Sequence, residues 1–146
     1  MKIWNQFRLG CEAIPVWLIA IAARVGLARV FGSSALSHLA NWQTTLYLFD
    51  NTFHVPLLPP HLAAYMAVAI EVGSTPLLLL GLATRLTALV LLGMTLVIEV
   101  FVFPQAWPTH IQWAVMILVL LRWGPGLFSL DTLIARGFGS RTGDAS

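Results

Sequence analysis

Four charged side chains sit inside runs that otherwise avoid water. Arg24 and Arg29 lie in "VWLIAIAARVGLARVFG", Glu71 in "AVAIEVGSTPLLLLG" and Glu99 in "LLGMTLVIEVFVF". Ionisable groups in such surroundings pair with one another, hold a proton, or anchor the polar head of a ligand, because a lone charge there costs several kcal/mol or more. Four histidines accompany them: His38, His54, His61 and His110. Imidazoles can move a proton near neutral pH or ligate a metal, so both chemistries are open at this point.

The elements that must position these groups are membrane spans. The chain is 58% hydrophobic and 10% charged, with a mean hydropathy of +0.83. Soluble domains carry about 25% charged residues, so this chain cannot cover a water-soluble surface. A bilayer core needs roughly 20 apolar residues per helix. Four segments of residues 1–146 meet or approach that, about 14–36, 62–82, 86–103 and 109–123. The expected fold is all-α: one domain, a four-helix transmembrane bundle with a loose tail over 137–146. In "NWQTTLYLFDNTF", Trp42, Leu46, Phe49 and Phe53 recur at helical spacing. That pattern predicts a short interfacial helix between the first and second spans, stopped by the prolines of "HVPLLPPH".

Lys2 and Arg8 precede the first span, Arg85 lies between the second and third, and Arg122, Arg136 and Arg141 follow the fourth. Residues 37–61 and 104–110 contain no Lys or Arg. Positive residues stay inside, so both termini are expected in the cytoplasm of a bacterial inner membrane and all four histidines on the outside. Counting about 1.5 Å per residue puts Arg24 and Glu71 at one depth near the midplane, and Arg29 and Glu99 together in the outer third. Two ion pairs are therefore expected, Arg24–Glu71 and Arg29–Glu99. With His110 these residues form the candidate intramembrane polar site. His38, His54, His61 and His110 are the candidate metal ligands, although their spacing matches no standard site. Ser129 or Asp131, after the Gly-Pro-Gly of "WGPGLFSLDTL", is expected to cap a short final helix, with Asp131 the favoured of the two.

Other chemistry is disfavoured. One cysteine, Cys11, permits neither an internal disulfide nor a dithiol relay carried by this chain alone. The basic residues are scattered, which argues against a nucleic-acid partner. No H-E-x-x-H, P-loop, G-x-G-x-x-G or G-x-S-x-G occurs. Haem is not expected, since no two spans carry inward histidines, whereas a quinone could lie between the helices.

The stretches "LARVFGSSALSHL", "AIEVGSTPLLLLGLATRLTAL" and "RWGPGLFSLDTL" resemble the DoxX family of small four-helix membrane proteins. "VPLLPP", "FVFPQAWPTHIQWA" and "GPGLFSLD" look like the subgroup found beside genes for small secreted metal-buffering peptides. The matching family positions are Arg24, Glu71, Arg85 and Asp131. Family members often carry a lysine where this chain has His38, so a fixed positive charge is missing there. The resemblance implies a four-helix bundle and a link to quinol-oxidase, oxidative-stress or thiol systems. Three functions follow as expectations. The first is an accessory or anchoring subunit of a redox or metal-stress system, with membrane or periplasmic protein partners besides the bilayer. The second is a quinone-linked oxidoreductase component, and the third an outward-facing metal-handling protein. Whether the chain is itself an enzyme stays open at this level.

Overall fold

The computed structural model describes residues 1–139. Its helices are α1 (Lys2–Glu12), α2 (Val16–Ala40), α3 (Trp42–Asn51), α4 (Pro60–Leu80), α5 (Thr84–Val97), α6 (Trp107–Trp123) and α7 (Leu130–Gly139). No strand occurs among the described residues. Helices α2, α4 and α5, the last together with the turn that extends it to Val102, are long and apolar enough to cross a membrane. Helix α6 has 17 residues, the lower end of the range that spans a bilayer. The fold is an all-α membrane bundle in which α2, α4, α5 and α6 run alternately up and down. The start of the expected tail, residues 137–139, closes α7; the remainder of 137–146 lies outside the described residues.

Neighbouring helices in a bilayer gain little from hydrophobic burial and pack through small residues instead. Helix α2 follows this rule. Its buried face carries Ala20, Ala23, Ala28 and Ala35 beside Leu27 and Phe31. At Gly32 a Cβ would stand 3.0 Å from Thr75 Cγ2 on α4, so the missing side chain sets how closely the two helices approach. Leu78, Leu91, Ile117 and Leu120 complete the core from α4, α5 and α6. Helix α2 packs on α4 and α6, while α5 packs mainly on those same two from the other side. Helix α3 folds over the start of α4, where Phe49 buries against Ala63 and Ala64.

The end of the bundle near α1 and α7 is termed proximal, and the end under α3 distal. A single cation organises the proximal end. Arg24 is 5% exposed. Its Nε donates to the Leu78 carbonyl at 2.7 Å and its Nη2 to that of Leu79 at 2.6 Å. Its Nη1 donates to the carbonyls of Phe128 at 2.8 Å and Pro125 at 3.1 Å. The last carbonyls of a helix lack intrahelical partners and carry partial negative charge. Arg24 meets that need at the end of α4 and ties the turn after α6 to the same point. Its donors are taken up by these carbonyls, and the expected pair with Glu71 does not form.

Of the two residues expected to cap the final helix, Ser129 does so, and Asp131 caps a different one. Its carboxylate accepts from the N–H of Ala83 at 2.7 Å and of Thr84 at 2.9 Å, so it caps α5 from across the bundle. Ser129 bonds to the Thr132 N–H at 3.2 Å and starts α7. Between these two contacts Gly81 ends α4 at φ +65. A Cβ there would lie 2.8 Å from Arg24 Cζ and 2.5 Å from Ser129 Cβ. Gly81→Ala is expected to cost about 2 kcal/mol, from left-handed strain plus displacement of the guanidinium. Unfolding of the variant in mixed micelles measures it; a loss under about 0.5 kcal/mol would show that this end relaxes freely.

Candidate functional site

Neither ion pair expected from depth forms. The reason is direction. A helical side chain leans toward its own helix's N-terminus. Helices α2 and α4 are antiparallel, so Arg24 leans proximally and Glu71 distally, away from each other. Arg29 is five residues beyond Arg24, about 140° around the helix. With Arg24 inside the bundle, Arg29 is exposed on the outside, and Glu99 lies on a helix that packs elsewhere.

The carboxylates take histidines as partners. Glu71, with its side chain 4% exposed, accepts from Ser34 Oγ–H at 2.8 Å and contacts His38 Nδ1 at 2.9 Å. Ser34 and His38 are four residues apart on α2, so one helix face presents both. Glu99 contacts His110 Nδ1 at 2.6 Å. Glu99 sits on a π-helical turn, Ile98–Val102, closed by the bond from Phe103 N–H to the Ile98 carbonyl. The wider turn carries Glu99 around toward α6, where Pro108 in the first turn leads directly to His110. Such turns recur at functional positions in helices.

An ionised carboxylate only accepts hydrogen bonds, so a histidine paired with one carries its proton on Nδ1. In that tautomer Nε2 is a bare acceptor. Between these groups lies a cavity of about 370 Å³. Ser34, His38, Glu71 and His110 supply its polar wall. The rest is apolar and aromatic, including Phe49, Phe53, Ile70, Met94, Phe103 and Trp113. An apolar slot with a few convergent polar groups is the usual form of a small-molecule site.

The structure therefore places Glu71 and His110 on the wall of one cavity, with Glu99 behind His110, and leaves Arg24 and Arg29 out of it. Ser34, His38 and Trp113 enter without having been expected there. The four histidines do not converge as metal ligands. His38 and His110 face carboxylates, His61 Nε2 lies 3.0 Å from Asp50 Oδ2, and His54 Nδ1 lies 3.1 Å from the Thr52 carbonyl. Among the described residues no three His, Cys, Asp or Glu side chains cluster closely enough to hold a metal.

A family model described as DoxX matches residues 19–104, more than half of the 146-residue chain. The chain belongs to the DoxX family. The DoxX match runs from α2 through the π-helical turn. It contains Ser34, His38, Glu71 and Glu99 but stops short of His110 and Trp113 on α6. No curated protein and no solved structure matches the chain. With the apolar helices, membership of DoxX makes this an integral, multi-pass membrane protein.

Proposed function

We propose that this DoxX protein is the quinone-binding membrane subunit of a redox system. The observation that carries the reading is the distal cavity: an apolar slot of about 370 Å³ flanked by two histidine–carboxylate pairs at 2.9 and 2.6 Å. A quinone head supplies two-electron, two-proton chemistry when bound, and its isoprenoid tail suits an apolar slot open to lipid. The donor set fits that head. His38 and His110 each offer Nε2 to a hydroxyl or, once protonated, to a carbonyl oxygen. Glu71 and Glu99, bonded at Nδ1, hold the rings in orientation and tautomer. Phe49, Phe53, Phe103 and Trp113 exclude water and offer ring faces for stacking.

A single cysteine provides no dithiol couple, so electrons would pass to or from a partner protein. This joins the accessory-subunit and quinone readings of the sequence. The arginine distribution supports proximal termini in the cytoplasm of an inner membrane, which would open the cavity toward the periplasmic face.

Trp113 lines the cavity and reports on occupancy. Titrating the protein in nanodiscs with a short-chain ubiquinone or menaquinone analogue is expected to quench its fluorescence in a saturable way. Trp113→Phe should remove most of that signal, and His110→Phe should weaken the apparent affinity about tenfold or more. Linear quenching, identical in both variants, would place the analogue in bulk lipid instead.

A further inference from the structure

Arg29 presents a problem that the cavity does not solve. It lies thirteen residues after Val16 and eleven before Ala40, the ends of α2. That is about 20 and 17 Å from the ends at 1.5 Å per residue; because α2 runs on to Ala40, Arg29 stands near the middle of the helix, deeper than the outer third expected from a span ending at residue 36. It is exposed, and among the described residues it has neither a hydrogen bond nor an ion pair. Arg24, by contrast, donates to four carbonyls. An unpaired guanidinium facing lipid at that depth is costly, and the long distance to either surface limits relief by snorkelling.

The surface around Arg29 is shaped for a helix. Val25, Arg29, Gly32, Ser33 and Leu36 form one stripe of α2, and Val72, Pro76 and Leu79 form the facing stripe of α4. Ala28, Gly32 and Ser33 keep the floor of the groove low, so that another backbone can approach. Pro76 lies inside α4 and lacks an N–H, which deprives the Val72 carbonyl of its helical donor. The groove thus offers a cation and a free acceptor at neighbouring positions.

We infer that this groove seats a transmembrane helix of a different membrane protein, one carrying an Asp or Glu near its middle. Charge complementarity at mid-membrane depth selects that occupant. A lipid headgroup does not reach so deep. A second copy related by a two-fold axis through this face would set Arg29 against Arg29. Nor can this chain offer the carboxylates inside its own spans, because Glu71 is buried against His38 and Ser34, and Glu99 is held by His110 on another face.

The test uses the full chain reconstituted in phosphatidylcholine vesicles. The probes are two labelled leucine-rich transmembrane peptides, identical except for a central Glu or Gln. Energy transfer should show the Glu peptide associating about tenfold more tightly, the scale of one interhelical polar contact. Arg29→Gln and Arg29→Leu should each erase the preference. Equal binding of the two peptides, or a preference that survives in Arg29→Gln, overturns the inference. In native membranes, a photocrosslinker at Ser33 should capture a membrane protein with an acidic residue in its span. Arg29→Glu should abolish that adduct, and the reciprocal acid-to-arginine change in the partner should restore it. An adduct with a second copy of this chain, or none, also overturns the inference.

Discussion

Arg24→Leu is expected to lower the stability of the bundle by about 3 kcal/mol or more, and by the same amount whether residue 71 is Glu or Gln. The size follows from the carbonyls of Leu79, Pro125 and Phe128, which lose their side-chain donor, and from that of Leu78, which keeps only the Gly81 N–H at 3.2 Å. Each orphaned buried acceptor costs about 1–3 kcal/mol. Relief of the buried charge offsets part of that sum, so the net loss falls below it. Arg24→Lys should recover little, because one ammonium cannot fork toward carbonyls on two segments. The independence from residue 71 is the sharper statement. Equal depth suggested an Arg24–Glu71 pair, in which case removing both partners would hurt less than removing one. The structure separates them, and a double-mutant cycle by unfolding in mixed micelles should give a coupling within about 0.5 kcal/mol of zero. A coupling of about 2 kcal/mol or more would restore the pair and refute the proximal clamp.

Glu71→Gln is expected to do the reverse, sparing stability and impairing binding. Glutamine keeps the volume and can still accept from Ser34. What disappears is the carboxylate oxygen that only accepts and so fixes the His38 tautomer with Nδ1 protonated. Hydrogen bonds to charged groups contribute about 1.5–3 kcal/mol, which corresponds to about ten- to a hundredfold in affinity for a quinone analogue. Stability should change by less than about 1 kcal/mol, since the variant removes a buried carboxylate along with its contacts. Ser34→Ala should have a smaller effect on affinity, because the Ser34 hydroxyl steadies Glu71 rather than His38. Fluorescence titration and unfolding of the same preparations separate the two effects. Unchanged affinity in folded Glu71→Gln protein would remove Glu71 from the ligand's surroundings.

Long apolar runs made the spans legible, and the helices start and end within a few residues of the expected segments. One boundary nevertheless changed the chemistry. The first span was expected to stop at about residue 36. In the structure α2 continues to Ala40, which carries His38 along the helix to Glu71 and makes Ser34 and His38 neighbours. Their four-residue spacing was visible; its meaning depended on the helix continuing. Depth along the membrane also proved an incomplete guide. It carries no information on rotation or lean, and those decide that Arg24 turns proximally and Arg29 outward. The π-helical turn at Glu99 is a matter of hydrogen-bond register that residue types alone do not encode. Helix α1 was missed altogether: its apolar residues, Ile3, Trp4 and Phe7, lie among Lys2, Arg8 and Glu12, and all of its residues are exposed.

The claim at the centre of this account is that the distal cavity holds a quinone. The most direct measurement is quantitative mass spectrometry of isoprenoid quinones extracted from protein purified out of native membranes in lipid nanodiscs, normalised to the quinone content of protein-free discs made from the same lipids. The account expects about one quinone per chain above that background, reduced to background in Glu71→Gln protein that retains wild-type stability. Wild-type protein at background, or a Glu71→Gln variant that retains its quinone in full, would contradict it.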